Sequence, residues 1–289
     1  MNYSVEQLHD YASLFSSQMC ERALRFADVE ELSAVFRKYD RSKAGDKEIS
    51  TWDYLSGVYR VLKGQYRNEY VYKNELLNNL LLKQVGQSDT IILNEFSVGR
   101  SVADIAFFNG CSKAFEIKSE LDSDKRLVTQ LSDYKKVFEE CYIVVPEEQL
   151  SRYKNLVDEA TGIITLAHTD RGAISLNTER KASRNESVDA DILMRSVRTD
   201  EYKWMVRQHF GQLPDVSCFE MFEACRKLLG SLDVDTLHRL FNAAVKRRKN
   251  RTHNLSTFSR GTRQMCLSLN LSAPKMAQLQ TLYGQNINL

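Results

Sequence analysis

Asp104, Glu116 and Lys118 are the residues of this 289-residue chain whose types and spacing most suggest chemistry. They lie in the stretches 102–108 and 113–119, whose other residues are typical of buried β-strands. Ionised side chains are costly to bury unless they are paired with an opposite charge or bind a metal ion. The sequence therefore raises the question of which cation holds these acids in a sheet.

The apolar residues of the two stretches predict how the strands pair. Side chains alternate between the faces of a strand, so Ile105 and Phe107 share one face, as do Phe115 and Ile117. Both pairs enter one core if residue 105 pairs with residue 115. That register needs an odd-length loop with glycine in the left-handed conformation, and Asn-Gly-Cys at 109–111 can supply it.

This register places Asp104 opposite Glu116, with Lys118 one pleat away on the same face. Two facing carboxylates repel each other unless a cation lies between them. Mg²⁺ suits oxygen ligands and keeps waters and phosphate oxygens in its shell, and the Ile117 carbonyl can add a third protein oxygen. Lys118 would orient or deprotonate an attacking water, or stabilise charge on a phosphate.

These residues resemble the signature of the PD-(D/E)XK nuclease superfamily. That signature places an acid on the second core strand and (D/E)-x-Lys on the third, which Asp104, Glu116 and Lys118 match. The predicted order of elements over 66–145 is similar to the αβββαβ core of the restriction-endonuclease-like fold. Ala103 stands where the named motif has proline, a position that varies among members. The resemblance covers under a third of the chain.

The resemblance also implies supporting residues around the site. Gln130 and Tyr134 look like the Q-x-x-x-Y element of RecB-type and lambda-exonuclease-type members, and their spacing of four places them on one helical face. An acid on the preceding helix is expected in this family. Glu69 and Glu75 are the candidates, and Glu69 is preferred.

The chain is expected to have an α/β fold, with a restriction-endonuclease-like αβββαβ core and added helical regions at both ends. The predicted regions are an N-terminal helical region at 1–64, the nuclease-like core at 65–180, and a C-terminal helical region with a basic segment at 185–289. The polar stretch 177–187 is expected to connect the last two. Helices are predicted over 66–83, 123–140, 147–159, 189–210, 218–229 and 233–249, and strands over 90–98, 102–108, 113–119, 141–145, 162–166 and 173–176.

Charge is distributed unevenly along the chain, although the formal net charge is only +2. From Thr236 to the C-terminus there are nine Lys and Arg residues and no Asp or Glu. Such a segment can neutralise phosphates, with a solvated basic surface or a partner-binding helical face as alternatives. The predicted nucleic-acid-binding residues are Arg100, Lys246, Arg247, Arg248, Lys249 and Arg251.

Composition argues against several other classes of protein. The six cysteines form no C-x-x-C pair and the five histidines form no metal-spaced pair, so reduced thiols and no zinc site are expected. Glycine-rich nucleotide loops are absent from the sequence. No long apolar stretch or secretory signal is found, so no membrane association and a cytoplasmic location are expected.

The leading interpretation is a nuclease that uses Mg²⁺ or Mn²⁺, with DNA favoured over RNA by the resemblance alone. Endonuclease and exonuclease action both stay open. The alternatives are a non-catalytic nucleic-acid-binding protein and a regulatory subunit of a phage-defence or repair system. A homodimer or protein partner could use the helical regions.

Overall fold

The structure is a computed structural model, and it describes residues 3–45, 48–85, 90–168, 174–248 and 252–287. Lys249 and Arg251, two of the predicted nucleic-acid-binding residues, lie outside the described residues.

A mixed six-stranded sheet forms the centre of the molecule, and its strands lie side by side in chain order. The strands are β1 (Ile91–Val98), β2 (Ser101–Phe108), β3 (Ser112–Ile117), β4 (Glu140–Pro146), β5 (Gly162–His168) and β6 (Ile174–Arg180). β1 to β3 form an antiparallel meander, β3 to β5 are parallel, and β6 returns antiparallel at the edge. The predicted mixed α/β class is therefore confirmed.

The predicted pairing of β2 with β3 is also confirmed. Ile105 pairs with Phe115, and the strands are joined by the three-residue loop 109–111. Gly110 in that loop has φ 77°, the left-handed conformation that the register requires. Burial of the apolar pairs on one face is thus sufficient to fix this part of the sheet.

Strict alternation fails at one rung of the meander, where Glu95 of β1 lies opposite Asp104 of β2. The neighbouring rungs on either side are paired, but this one is not. Glu95 has φ 56°, which is strained for a residue with a side chain. In a regular strand, only residues an even number apart share a face. Here Ile91 and Phe96 of β1 face the same core although they are five residues apart, and so do Ala103 and Ala106 of β2, three residues apart. Strict alternation from Ile105 would predict that Asp104 shares a face with Ala106, and the irregular rung shows that this prediction is wrong.

Helices precede and follow the six strands in the sequence, and two further helices connect strands within the sheet. The N-terminal helices are α1 (Val5–Ser13), α2 (Ser17–Phe26), α3 (Glu30–Tyr39), α4 (Arg41–Ala44), α5 (Thr51–Gln65) and α6 (Glu69–Leu76). α7 (Leu127–Tyr134) connects β3 to β4, and α8 (Leu150–Leu156) connects β4 to β5. The C-terminal helices are α9 (Ala190–Ser196), α10 (Thr199–Phe210), α11 (Met221–Gly230), α12 (Val234–Lys246), α13 (Arg263–Leu269) and α14 (Ala273–Gly284).

The two faces of the sheet carry two separate hydrophobic cores. One core joins α1 to α6 with α13 and α14, so the two ends of the chain pack together. The other core contains α7 and α9 to α12. Residues from the predicted C-terminal region thus contribute to both faces, while the division of the chain into three domains stays a prediction.

Several predicted boundaries differ from the structure. The helix predicted over 66–83 ends as α6 at Leu76 and continues as a π-helix, Leu77–Leu81, and a short 3₁₀ turn. The helix predicted over 189–210 is broken before α10, because Glu201 accepts a hydrogen bond from the Arg198 backbone N–H and caps a new helix. β6 extends to Arg180, into the stretch that was expected to be a connector, since its backbone pairs with β5.

Among the described helices, none is both long enough and apolar enough to cross a membrane.

The β4–β5 packing can be tested at Gly162. A methyl group there would lie 2.3 Å from Tyr142 ring carbons and 2.8 Å from the Ala182 backbone nitrogen. We expect Gly162→Ala to lower the free energy of unfolding by about 1–3 kcal/mol, because this site cannot accept added volume. Gly64→Ala is the control, since nothing lies within 4 Å and helical alanine should be neutral or stabilising. Urea unfolding followed by circular dichroism measures both, and equal effects would contradict the packing.

Candidate active site

A cleft of about 840 Å³ opens where β2 and β3 separate, next to α6 and α7. The three residues singled out from the sequence, Asp104, Glu116 and Lys118, all line it. Ile117, Gln130 and Glu69 line it as well. The structure therefore brings the predicted strand residues together with residues of the two adjoining helices.

Asp104 lies where the β2–β3 ladder ends. The described pairing stops at Ile105 and Phe115, and the Asp104 carboxylate then accepts a hydrogen bond from the Ile117 backbone N–H at 2.7 Å. The side chain thus takes the place of a ladder partner, which holds it beside β3. This contact fixes one carboxylate oxygen and leaves the other facing α6.

Lys73 of α6 binds that other oxygen, with its Nζ 2.9 Å from Asp104 Oδ1. It also forms an ion pair with Glu69, one helical turn earlier. Burial alone would lower the pKa of Lys73, but the charges of Asp104 and Glu69 outweigh it and raise that pKa. Sequence reasoning missed Lys73; the four-residue spacing of Glu69 and Lys73 was the available signal.

Glu116 is buried and has its own set of partners. Its Oε1 accepts from Lys118 Nζ at 2.7 Å, and its Oε2 lies 2.6 Å from the Tyr134 hydroxyl. That hydroxyl also lies 2.7 Å from the Val102 carbonyl oxygen, so one proton is shared between two acceptors. Lys118 Nζ is 3.3 Å from Gln130 Oε1. Gln130 and Tyr134 thus contact opposite ends of the Glu116–Lys118 pair.

The electrostatics of the site oppose ionisation of Asp104. Burial raises the pKa of Asp104, the nearby charge of Glu116 raises it further, and Lys73 with the Ile117 N–H only partly offsets this. Burial, then the Glu116 charge, also raises the pKa of Tyr134, which keeps its hydroxyl neutral. The carboxylates are therefore held close together at an electrostatic cost.

The donor atoms fit a small hard cation that retains water. Asp104 and Glu116 offer carboxylate oxygens and Ile117 offers a carbonyl at the cleft. Among the described residues, no group of three or more His, Cys, Asp or Glu side chains is arranged to hold a metal. Mg²⁺ commonly binds through one or two carboxylates plus waters and phosphates, so these donor atoms are of the kind that Mg²⁺ prefers.

Three exposed basic residues line the cleft. Arg100, Lys125 and Arg126 line the cleft and are exposed. Among the ion pairs of the described residues, none involves these three. Arg100 was predicted to bind nucleic acid, whereas Lys125 and Arg126 were missed, although the stretch 123–126, Ser-Asp-Lys-Arg, was visible in the sequence.

The two candidate helix acids lie in different places. Glu69 lines the cleft beside Lys73. Glu75 is buried away from it, where it accepts from the Tyr59 hydroxyl at 2.8 Å and from Asn79 at 2.7 Å. The structure therefore brings Glu69, and not Glu75, to the cleft.

The basic C-terminal segment is partly structural. Arg248 forms a bidentate ion pair with buried Glu201, at 2.6 and 2.8 Å, and its side chain is only 13% exposed. We therefore assign Arg248 to folding instead of phosphate binding, because its charge is already neutralised. Arg247 is exposed and stacks over Trp204 at 4.8 Å, and Lys246 is half-buried.

Half-buried Asp104 and buried Asp133 should respond oppositely to neutralisation. A carboxyl whose pKa is higher in the folded than in the unfolded state destabilises the fold at pH values above both. Asp104→Asn should therefore leave the free energy of unfolding at pH 7 unchanged or raise it by about 1 kcal/mol.

Asp133 is the matched control for that test. Burial opposes ionisation of Asp133, but hydrogen bonds from Lys136 and Ser101 outweigh it and lower its pKa. Asp133→Asn should cost about 1 kcal/mol at pH 7, a loss that shrinks as the pH falls below the unfolded pKa near 4. Urea unfolding at pH 7 compares the variants, and a large loss for Asp104→Asn would contradict the assignment.

The structural role of Arg248 is tested by comparison with Arg247. Arg248→Ala should lower the free energy of unfolding by roughly 3 kcal/mol at pH 7, because Glu201 would be left buried and unpaired. Arg247→Ala should cost less than about 1 kcal/mol. Burial would raise the pKa of Glu201, but bonds from Arg248 and Arg198 lower it, so the wild-type advantage should fade below about pH 4. Chemical unfolding at pH 7 and pH 3.5 measures this.

Comparison with known proteins places the chain in a family. Residues 62–271 match the family model described as "Bacteriophage P4 protein cII". A curated relative, protein cII of Enterobacteria phage P4, is 26% identical over 189 residues, which is 64% of this chain and 66% of the relative's length. No solved structure matches significantly. Since the family model matches more than half of the chain, the protein belongs to the bacteriophage P4 protein cII family.

Proposed function

We propose that the protein is a metal-dependent nuclease that hydrolyses phosphodiester bonds in DNA. The observation that carries this proposal is the convergence of Asp104, Glu116 and Lys118 in one cleft, with Gln130 and Tyr134 bound to the same cluster. Two carboxylates, an ammonium group, an amide and a phenol hydroxyl would have no need to share one cluster for packing alone. The pKa values of Asp104 and Tyr134 are raised, and perturbed pKa values at a cleft are typical of catalytic sites.

The order of elements supports a restriction-endonuclease-like core. α6 is followed by the antiparallel strands β1, β2 and β3, then by α7 and by β4, which pairs parallel to β3. This is the αβββαβ order expected from the sequence resemblance. The proposed catalytic residues lie on the second strand, the third strand and the following helix, as in that signature.

Asp104, Glu116 and the Ile117 carbonyl would hold Mg²⁺ or Mn²⁺. When bound, such an ion polarises the phosphate and lowers the pKa of a coordinated water. In the described structure each carboxylate instead contacts an ammonium group, Lys73 for Asp104 and Lys118 for Glu116. Those two lysines would neutralise the carboxylates when no metal ion is bound to the carboxylate oxygens.

Lys118 is the residue placed to act on an attacking water or a phosphate oxygen. Its ammonium group has three N–H donors, and Glu116 and Gln130 accept two of them. The third is available to the cleft, where it can donate to a phosphate oxygen and stabilise the charge that builds on it. Tyr134 positions Glu116 through its hydroxyl and does not itself reach the cleft.

The charges of the cleft suit a phosphate-bearing chain. Exposed Arg100, Lys125 and Arg126 line the cleft together with the acids, so an incoming backbone would be attracted to these cations while its reacting phosphate reaches the metal ligands. Lys246 and Arg247 are proposed as further phosphate contacts. DNA is proposed over RNA because of the superfamily resemblance.

A second candidate function is binding without cleavage, in a regulatory subunit of a phage-defence or repair system in the cytoplasm. The observation that favours it is that both carboxylates already have ammonium partners, so the cluster satisfies its own charges. The relative's printed name, protein cII, specifies no reaction. The two functions differ in whether substitution of Asp104 changes cleavage or only affinity.

Cleavage of linearised plasmid DNA with Mn²⁺ separates the two functions. Asp104→Ala and Lys118→Met should each reduce the cleavage rate at least about 100-fold, because one removes a metal ligand and the other the cleft amine. Glu69→Gln should reduce it less, and Glu75→Gln should not change it, since Glu75 lies outside the cleft. Gel analysis over time gives the rates.

Metal binding is measured separately by thermal unfolding. Mn²⁺ should raise the melting temperature of the wild type and not that of Asp104→Ala. Equal cleavage by wild type and Asp104→Ala would show a contaminating nuclease and overturn the proposal. DNA binding without cleavage, unaffected by metal, would support the second candidate.

A further inference from the structure

A second cavity of about 290 Å³ adjoins the cleft. The two share Glu69, Lys73 and Glu95 as lining residues, so a chain lying in the cleft can place its next unit in this cavity. The remaining wall comes from the α1–α2 turn, α6 and α13. This cavity is close to the size of a single nucleoside, at the lower end of the range for ligand sites.

Gln264 provides the sharpest chemical feature of the cavity. Its residue is 3% exposed, and its Nε2 donates to Asn94 Oδ1 at 2.6 Å. Its Oε1 has no hydrogen-bond partner in the described structure. A buried acceptor without a donor is costly, so a small movement of the Gln264 side chain, which lines the cavity, would let Oε1 accept from an N–H or O–H group there.

The other walls supply apolar surface and donors. Phe15 and Tyr70 line the cavity with rings 5.0 Å apart. Ser17 is the first residue of α2, and the first N–H groups of an α-helix lack intrahelical partners. The Met19 N–H already donates to the Ser16 side chain, but the Ser17 hydroxyl and backbone N–H can donate to a carbonyl oxygen of a ligand. Aromatic surface, these O–H and N–H donors and one buried acceptor together match the surface of a nucleobase.

The charges of the cavity argue against a second phosphate. Glu69 and Glu95 contribute two carboxylates, and Lys73 is the one lysine or arginine among the described lining residues. The exposed cations Arg100 and Lys125 line the cleft and not this cavity. A neutral base therefore fits here, while its phosphate fits the adjoining cleft.

We propose that this cavity binds an unpaired nucleobase next to the phosphate held in the cleft. Gln264 Oε1 accepts a hydrogen bond from an N–H on the base edge that pairing would otherwise occupy. The proposal rests on the proposed nuclease function and narrows its substrate class to single-stranded DNA or frayed ends. Glu95, strained at φ 56°, forms the wall between the two spaces.

Binding of a fluorescent single-stranded oligonucleotide, measured by anisotropy with Ca²⁺ present to prevent cleavage, tests this. Ser17→Trp fills the mouth of the cavity from an exposed position, and Gln264→Leu removes the acceptor. Each should weaken binding about tenfold. Ala273→Trp, at the exposed first residue of α14 and outside the cavity, should not. Ser17→Trp decides the test if Gln264→Leu does not fold.

A cross-linking measurement locates the base directly. An oligonucleotide with 5-iodouracil should cross-link to the peptide containing Phe15 or Tyr70, and Ser17→Trp should abolish that cross-link. Unchanged affinity and cross-linking in Ser17→Trp, with cleavage intact, would overturn the subsite and leave the nuclease proposal standing. A blunt duplex that binds as tightly as the single strand would also overturn it. No cleavage and no binding by the wild type would overturn both.

Discussion

Two carboxylates held beside each other at the end of a β-hairpin impose the constraint around which this protein is organised. Asp104 and Glu116 cannot both be ionised in a largely dehydrated position without nearby positive charge. Lys73 of α6 and Lys118, the residue that follows β3, supply it. The two carboxylates and two ammonium groups therefore lie together in a cleft that opens to solvent. Packing of the hydrophobic cores alone would not require this cluster of charges.

The surrounding fold holds that centre by local departures from regular structure. The ladder between β2 and β3 ends at Ile105, the sequence neighbour of Asp104. On β1, Glu95 lies opposite Asp104 and has a left-handed backbone conformation. Both departures turn side chains away from the two cores and toward the cleft. Strain and charge concentrated at one rung of a sheet with an apolar core on each face are characteristic of a functional site.

The hairpin register was predictable because it depends on local information. The alternating apolar residues and Gly110 fix it whatever the rest of the chain does. The role of Lys73 was not predictable from local sequence, since its contact with Asp104 depends on how α6 packs against the end of the sheet. The pairing of Arg248 with Glu201 is likewise a long-range contact, and a basic run gives no sign of which charges are neutralised.

Anomalous diffraction from crystals grown with Mn²⁺ tests most directly whether this centre binds a divalent cation. We predict a single strong anomalous peak beside the carboxylates of Asp104 and Glu116, with Lys73 shifted away from Asp104. The account would be contradicted by density in which no ion is present at saturating Mn²⁺ and both carboxylates keep their lysine partners.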